Sequence, residues 1–164
     1  MIDPASGSPS SLTPAPPETA PAFSSRNQYG QPVTLGDLAG APAVLVFFPY
    51  AFTGICTGEL QELRDLSAEF AACGARVLGI SCDSMFSLRT FAEAESFGFD
   101  LLTDHWPHGQ IARAYGVFDE SAGVALRGSF VLDAQARITW RVVNQIGEAR
   151  AMSDHLLALR QQSS

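Results

Sequence analysis

The pattern of apolar positions along the chain predicts alternating strands and helices. Residues 43–48 form a continuous apolar run of strand length, as expected for a central strand that is covered on both faces. The next segment begins after Thr53, ends by Gly74 and carries apolar residues at helical spacing with acidic residues between them: Leu60, Leu63, Leu66 and Phe70. This spacing predicts one amphipathic helix directly after the strand.

Later segments continue the alternation. We expect a buried strand over 75–81, a helix over about 85–97 with Phe86, Phe91 and Phe97 in the core, and a short strand around 101–102. A brief helix should follow, with Pro107 in its first turn and Gly116 at its end. The strands on either side of 133–136 should form an antiparallel hairpin, and a helix over about 150–161 should close the chain.

This order of elements predicts one α/β domain. Strand–helix–strand units early in the chain and a hairpin late imply a mixed central sheet flanked by helices on both faces. The order resembles that of the thioredoxin-like fold. A small hairpin around Gly30 should open the domain, which we place at 22–164. Residues 1–21 are dominated by proline, serine, alanine and threonine and offer little to bury, so we expect a disordered N-terminal tail.

Composition and charge narrow the classes of partner. The formal net charge is -7 and the sequence pI is about 4.8, which disfavours nucleic acid and anionic membranes because both bind clustered positive charge. No run approaches the roughly 18 apolar residues of a membrane span, and the N-terminus lacks a basic segment followed by an apolar one. We therefore expect a cytoplasmic protein.

The chain contains three cysteines, Cys56, Cys73 and Cys82. An odd number at irregular spacing fits neither a disulfide framework nor a zinc site, so at least one thiol should be free. No other pattern calls for a metal or an organic cofactor, and we expect none.

Histidines and aromatic residues in the second half offer weaker signals. His105 and His108 lie close together, but without a third ligand at suitable spacing we expect them to cap or pack rather than bind a metal. His155 in the closing helix is expected at the surface. Three aromatic residues are candidates for a dimer surface or a pocket wall: Trp106, Tyr115 and Phe118.

Cys56 is distinguished by its place between the buried strand and the helix. A free cysteine has a pKa of roughly 8.5, so reactivity at neutral pH requires surroundings that favour the thiolate. The first turn of a helix can provide them, because its backbone N–H groups lack intrahelical partners and the helix dipole adds partial positive charge. If Thr53 is the N-cap, Cys56 is the third helical residue. Most free cysteines are small buried hydrophobic residues, but open α/β folds place their sites at this edge of the sheet.

These residues carry a resemblance to a known family. The spacing Pro49-x-x-x-Thr53-x-x-Cys56 resembles the active-site motif of the peroxiredoxins. The stretches "FTGICTGELQELRD", "WPHGQIARAYGVF" and "RGSFVLD" are similar to the alkyl hydroperoxide reductase E subgroup, and the likeness runs from about Phe23 to the end of the chain.

The resemblance implies a thiol peroxidase and a role for each matching residue. Cys56 resembles the peroxidatic cysteine, whose thiolate attacks a peroxide oxygen and becomes a sulfenic acid. Thr53 matches the threonine whose hydroxyl bonds the peroxide, and Pro49 the proline that shields the thiolate from water. Arg127 matches the arginine that stabilises the thiolate and polarises the peroxide, and Glu59 an acidic position that helps hold the arginines. The substrates implied are hydrogen peroxide and organic hydroperoxides, with peroxynitrite a further candidate.

The sulfenic acid must then be reduced by another thiol. Cys73 lies 17 residues after Cys56, so along one helix at about 1.5 Å per residue it sits roughly 25 Å away, beyond the roughly 7 Å that a disulfide allows between Cα atoms. Cys82 follows the next parallel strand and lies at the correct edge of the sheet, but it would need loop movement to reach Cys56 and stays open as a resolving cysteine. We expect an external thiol to form the mixed disulfide.

For the subgroup that the chain resembles, the external reductant implied is mycothiol with mycoredoxin; thioredoxin is the alternative. The resemblance also implies a homodimer. Two other functions use the same cysteine: a non-catalytic peroxide sensor or chaperone, and a disulfide oxidoreductase of the same fold. The absence of a C-x-x-C motif at the start of the helix argues against the oxidoreductase.

Overall fold

A six-stranded mixed sheet forms the centre of the protein in a computed structural model, which describes residues 18–162. The strands lie in the spatial order β1 (Glu18–Thr19), β10 (Arg137–Asn144), β9 (Arg127–Leu132), β4 (Ala43–Phe47), β5 (Arg76–Ser81) and β6 (Asp100–Thr103). Strands β4, β5 and β6 are parallel, whereas β9 pairs antiparallel with both β4 and β10. Two antiparallel pairs lie outside the sheet: β2 (Ser24–Arg26) with β3 (Pro32–Thr34), and β7 (Phe118–Asp119) with β8 (Val124–Ala125).

Helices connect and cover these strands. They are α1 (Gly54–Asp65), α2 (Ser67–Ala72), α3 (Met85–Glu95), α4 (Gln110–Ala114) and α5 (Met152–Gln162), with a 3-10 helix at Leu35–Leu38. Because α1 and α2 link β4 to β5 and α3 links β5 to β6, the carboxyl ends of these three strands lie at one edge of the sheet.

The core consists of two apolar layers, one on each face of the sheet. Alternate residues of β4 belong to different layers: Ala43, Leu45 and Phe47 to one, Val44 and Val46 to the other. The second layer packs against apolar residues of α1, α2, α3 and α5: Leu60, Leu63, Phe70, Leu88, Phe91, Leu156 and Leu159. The first layer packs against α4 and the 3-10 helix. Because both faces of β4 are buried, its sequence is continuously apolar.

This architecture confirms the predicted fold class, a thioredoxin-like α/β fold with a mixed sheet and helices on both faces. The opening hairpin, the parallel strands and the late hairpin all form where the pattern places them.

Four predicted details are wrong. The helix after Cys56 is interrupted at Leu66, which ends α1 and precedes α2. The side chain of Phe86 is 73% exposed rather than buried, because it lies in the first turn of α3, whereas Phe91 and Phe97 are in the core. Pro107 precedes α4, which begins at Gln110. Helix α5 begins at Met152, two residues later than expected.

The boundary of the expected N-terminal tail also changes. Residues 1–17 of that tail lie outside the described part of the chain. Residues 18–21 belong to the domain: Glu18 and Thr19 pair with Ile138 and Arg137 of β10, and Ala20 is buried. A polar strand of two residues carries little periodicity, which explains why the sequence pattern does not reveal it. Among the helices of residues 18–162, none is long and apolar enough to cross a membrane.

Candidate active site

The site begins where β4 ends at the edge of the sheet. Phe48 N–H still donates to Ile80 O, which extends the pairing with β5 by one residue. Five residues, 49–53, then lead to α1, and Thr53 is its N-cap in extended conformation, as predicted. Cys56 is therefore the third residue of the helix, and its side chain is fully buried. A thiol in the first turn of a helix faces backbone N–H groups that favour negative charge.

Arg127 joins Cys56 to Glu59. It lies at the start of β9, two strands away from β5, and its Nη1 group donates to Cys56 Sγ at 3.2 Å and to Glu59 Oε1 at 2.7 Å. Its Nε group donates to Ile146 O at 2.6 Å. Cys56 and Glu59 share this partner because residues three apart lie on one face of a helix. Three of the predicted site residues thus meet in one buried cluster.

A second arginine, Arg150, completes the cluster, and sequence reasoning did not find it. Its backbone N–H, Nε and Nη2 groups all donate to Glu59, at 2.7, 2.9 and 2.8 Å. Its Nη1 group donates to Gly128 O and to Ser129 Oγ, both at 2.9 Å. An arginine in a loop 91 residues after its partner has no local signal in the sequence. The one indirect signal is Glu59, since a buried carboxylate requires paired cations.

The charges of this cluster define its chemistry. Two guanidinium groups and one carboxylate, all buried, leave one net positive charge beside the Cys56 sulfur. Burial alone raises the pKa of the Glu59 carboxyl, but the hydrogen bonds and charge of Arg150, with the charge of Arg127, outweigh it and hold this pKa below its ordinary value. Glu59 is therefore ionised at neutral pH. Since an unpaired buried charge is unfavourable, the cluster is suited to an anion at Cys56.

The other two predicted residues lie in the segment between β4 and α1. Pro49 is buried two residues after the end of β4, and Thr53 is exposed three residues before Cys56. Thr53 Oγ1 donates to Tyr50 O at 2.8 Å instead of capping the helix through its side chain. The hydroxyl oxygen therefore keeps its lone pairs for a ligand.

Comparisons with known proteins agree with this site. The family model described as the AhpC/TSA family matches residues 16–141 of the chain. Alkyl hydroperoxide reductase E of Mycobacterium tuberculosis is 48% identical over 133 residues, which cover 80% of this chain and 87% of that protein. The chain belongs to the AhpC/TSA family of peroxiredoxins. It is accordingly an enzyme, a thiol-dependent peroxidase.

Solved peroxiredoxin structures share the fold. The crystal structure of peroxidoxin BcpB from Mycobacterium tuberculosis superimposes with a TM-score of 0.80 at 32% identity, covering 90% of this chain and 97% of that one. The crystal structure of AhpC from Enterococcus faecalis gives a TM-score of 0.82 at 25% identity, covering 90% and 91%. The thioredoxin-like fold of this peroxiredoxin is thus shown by its neighbours as well as by its own sheet.

The other two cysteines of the peroxiredoxin lie in different surroundings. Cys82 follows β5, is buried, and lines a cavity of about 390 Å³ with Pro49 and Tyr50. Burial, with the charges of Asp104 and Asp83, raises the pKa of the Cys82 thiol to about 12. Cys82 is therefore a neutral thiol at physiological pH and a poor nucleophile.

Cys73 forms the C-cap of α2 and packs partly buried against the second core layer. The separation of roughly 25 Å between Cys56 and Cys73 is expected for one straight helix. It does not apply, because the helix is interrupted at Leu66. All three cysteines are free thiols.

Two expectations outside the cluster have different outcomes. His155 is fully buried rather than at the surface: its ring packs against Trp140, and its Nδ1 atom lies 3.2 Å from Ala151 O. Of the three aromatic residues considered for an interface, Trp106 is 83% exposed, whereas Tyr115 is buried in the core and Phe118 is half-buried. Only Trp106 fits a surface role without rearrangement.

Proposed function

We propose that Cys56 is the peroxidatic cysteine of this peroxiredoxin, with Arg127, Glu59, Thr53 and Pro49 in the roles that the family motif implies. The observation that carries the proposal is the contact of 3.2 Å between Arg127 Nη1 and Cys56 Sγ inside a buried cluster that also holds Glu59. A guanidinium donor stabilises negative charge on the sulfur, and arginine keeps its own charge at any physiological pH.

In the reaction, the Cys56 thiolate attacks the terminal oxygen of a hydroperoxide. The sulfur–oxygen bond forms as the oxygen–oxygen bond breaks, so that sulfur is oxidised to the sulfenic acid and the peroxide is reduced to an alkoxide or hydroxide, which takes a proton from water. Negative charge thereby moves from the sulfur to the leaving oxygen. Donors that span both atoms favour the transition state over the ground state.

Arg127 and Thr53 are suited to provide that span. The Nε and Nη1 groups of Arg127 donate hydrogen bonds to Ile146 O, Cys56 Sγ and Glu59 Oε1. Among residues 18–162, no hydrogen-bond acceptor is found for Nη2. This group can therefore donate to a peroxide oxygen. The Thr53 hydroxyl, whose proton goes to Tyr50 O, can accept the peroxide O–H. Pro49 is buried at the start of the segment that leads to Thr53, and it has no N–H group that would hold water.

We propose that an external thiol reduces the sulfenic acid. It attacks the Cys56 sulfur, forms a mixed disulfide and releases water, and a second thiol then frees Cys56 as a new disulfide leaves. The neutral, buried thiol of Cys82 supports this external route over an internal one. Similarity to alkyl hydroperoxide reductase E favours mycothiol with mycoredoxin as reductant, with thioredoxin as the alternative. Three free thiols also fit the reducing cytoplasm, where we place the enzyme.

We further propose a homodimer formed through the edge of the sheet that carries the site. Large apolar side chains are exposed after each of the three parallel strands: Tyr50 and Phe52 after β4, Phe86 after β5 and Trp106 after β6. Exposed aromatic clusters are typical of interfaces. The mass in solution, measured by light scattering with Trp106→Ala and the unmodified chain at equal concentration, tests this. A monomeric unmodified chain at micromolar concentration would contradict it.

The decisive experiment compares peroxide turnover in two variants. With a thiol reductant in excess, Cys56→Ser should abolish the consumption of hydrogen peroxide, whereas the double variant Cys73→Ser/Cys82→Ser should retain it. If Cys56→Ser kept full turnover, the assignment would be wrong. If Cys56 were oxidised once and none of the candidate thiols reduced it again, the result would instead favour a peroxide sensor.

A further inference from the structure

The peptide group between Tyr50 and Ala51 is hydrogen-bonded on both sides. Its N–H, which belongs to Ala51, donates to Asp83 Oδ2 at 2.9 Å. Its carbonyl, which belongs to Tyr50, accepts from Thr53 Oγ1 at 2.8 Å. Because a peptide group is planar, its N–H and its carbonyl are fixed relative to each other. The carboxylate of Asp83 and the hydroxyl of Thr53 are therefore joined through a single rigid unit.

Asp83 is itself fixed to the edge of the sheet. Its Oδ2 atom accepts from Ser81 Oγ at 2.6 Å, and its backbone carbonyl accepts from Thr103 Oγ1 at 2.6 Å. Ser81 and Thr103 are paired residues at the carboxyl ends of β5 and β6. Ala51 lies in the turn between β4 and α1. Through Asp83, the backbone N–H of Ala51 is therefore bonded to the ends of two ordered strands.

The Thr53 hydroxyl depends on the orientation of that plane. It has one proton, and its bond to Tyr50 O determines where the oxygen lone pairs point. If the peptide rotated, the hydroxyl would rotate with it. Such a restraint matters in this turn because Phe52 adopts a φ of 69°, an uncommon left-handed conformation for a residue with a side chain.

We propose that Asp83 is a positioning residue for peroxide reduction: by accepting the Ala51 N–H, it fixes the peptide plane that directs the Thr53 hydroxyl toward a bound hydroperoxide. This inference rests on the proposed role of Cys56 as the nucleophile. Asp83 has no contact with the reacting atoms in this scheme and acts only through Thr53. Oxidation of Cys56 should therefore depend on Asp83, whereas attack of an external thiol on the sulfenic acid should not.

The test measures the two half-reactions separately. Rapid mixing with substoichiometric hydrogen peroxide, followed by quenching and intact mass, gives the rate of Cys56 oxidation, and addition of a thiol to the oxidised chain gives the rate of reduction. Asp83→Ala should slow oxidation about tenfold or more and leave reduction unchanged, because misplacement of a group at the reacting centre can cost up to about 10²-fold. Asp83→Asn should retain most of the rate, because its amide oxygen can still accept the Ala51 N–H.

A double-mutant cycle separates positioning from general stability. If Asp83 acts through Thr53, Asp83→Ala should cause no further loss in a Thr53→Val background. Asp37→Ala is the matched control, because Asp37 Oδ2 also accepts a backbone N–H, that of Thr34 at 2.8 Å, in a turn remote from the site. It should oxidise at the unmodified rate.

Two results would overturn the inference: oxidation of Asp83→Ala at the unmodified rate, or an equal loss from Asp83→Ala with and without Thr53→Val. If Asp83→Ala does not fold, Ser81→Ala replaces it in the same cycle, because this substitution removes the hydrogen bond that orients the Asp83 carboxylate. An equal loss from Ser81→Ala with and without Thr53→Val again overturns the inference. If the unmodified chain formed no sulfenic acid at Cys56, the proposed function itself would be overturned. This failure is distinguishable because it is seen without any substitution at Asp83.

Discussion

Arg150 binds the Glu59 carboxylate through three donors, its backbone N–H, Nε and Nη2 groups, at 2.7 to 2.9 Å. The same carboxylate accepts from Arg127 Nη1, which in turn reaches Cys56 Sγ. Arg150 therefore fixes the position of Glu59, and Glu59 in turn binds Arg127. Because all these groups are buried, the position of Arg127 depends on a bond network that spans α1, β9 and the segment before α5.

Replacement of Arg150 by methionine should destabilise the protein and slow the oxidation of Cys56. The substitution leaves Glu59 with one cation and removes the donors to Gly128 O and Ser129 Oγ. Removal of one partner of a buried ion pair lowers the free energy of unfolding by about 3–5 kcal/mol. Urea unfolding gives the stability, and rapid mixing with peroxide gives the rate.

The matched control for Arg150 is Arg76→Met. Arg76 pairs with Asp100 at 2.9 Å, but both side chains are partly exposed, so the expected loss is within about 1 kcal/mol. Equal stability losses in the two variants would contradict a structural role for the Arg150–Glu59 pair.

Replacement of Arg127 by lysine should slow peroxide reduction by about 10²–10³-fold, the usual range for loss of one preorganised donor at a developing charge. A lysine ammonium cannot reproduce the planar set of donors that reaches Ile146 O, Cys56 and Glu59 together. The measurement is the second-order rate constant for oxidation of Cys56 at pH 7. Arg137→Lys, at an exposed pair with Asp133, is the control and should retain full activity. A loss of less than about threefold in Arg127→Lys would argue against contact between Arg127 and the transition state.

Cys82 should resist alkylation in the folded protein and take no part in turnover. With a pKa raised to about 12 by burial and nearby carboxylates, the thiol remains protonated at pH 8. After one equivalent of peroxide, intact mass should report a sulfenic acid or an adduct with an added thiol. A loss of two hydrogens that maps to a Cys56–Cys82 disulfide would contradict the external route. Cys82→Ser should turn over peroxide at the unmodified rate with an external thiol.

The sequence predicts those parts of the site that local spacing determines. Cys56 and Glu59 are three residues apart on one helix, and Thr53 precedes them as N-cap, so all three lie within a stretch of seven residues. Arg127 is found through the family motif rather than through periodicity. Arg150 follows β10 and lies 91 residues after Glu59 in the chain, and no short-range rule connects positions so far apart.

The errors in secondary structure have similar causes. Leu66 continues the apolar spacing of α1, so the pattern gives no sign that the helix is interrupted there. His155 is a different case, because its spacing from buried residues of α5 indicates that it is buried too. It lies three residues after Met152 and four before Leu159, both buried, and therefore on the apolar face of α5. The position of His155 in the helix thus indicates its burial, whereas its residue type does not.

His155 should make the stability of the protein fall as the pH falls from about 6.5 to about 4. Burial, with the positive charge of Arg150, lowers the pKa of His155 to about 4, and Nε2 has no hydrogen-bond partner among the described residues. An unfolded chain has a histidine pKa of about 6.5. Between these values only the unfolded state binds the proton, so protonation favours unfolding, by up to about 3 kcal/mol at the acid end. Above pH 7 the effect vanishes because both states are neutral.

His155→Phe should flatten this pH dependence while keeping the ring contact with Trp140, whose centroid lies 5.2 Å away. Urea unfolding at intervals between pH 4.5 and 7.5 measures the slope, and His105→Phe, at an exposed position, should leave it unchanged. Because the pKa of Glu59 is lowered in the folded state, its protonation on unfolding also destabilises the fold in acid, but mainly below the unfolded value of about 4.3, so it contributes little to this range. An unchanged slope in His155→Phe would mean that some other group binds the proton on unfolding.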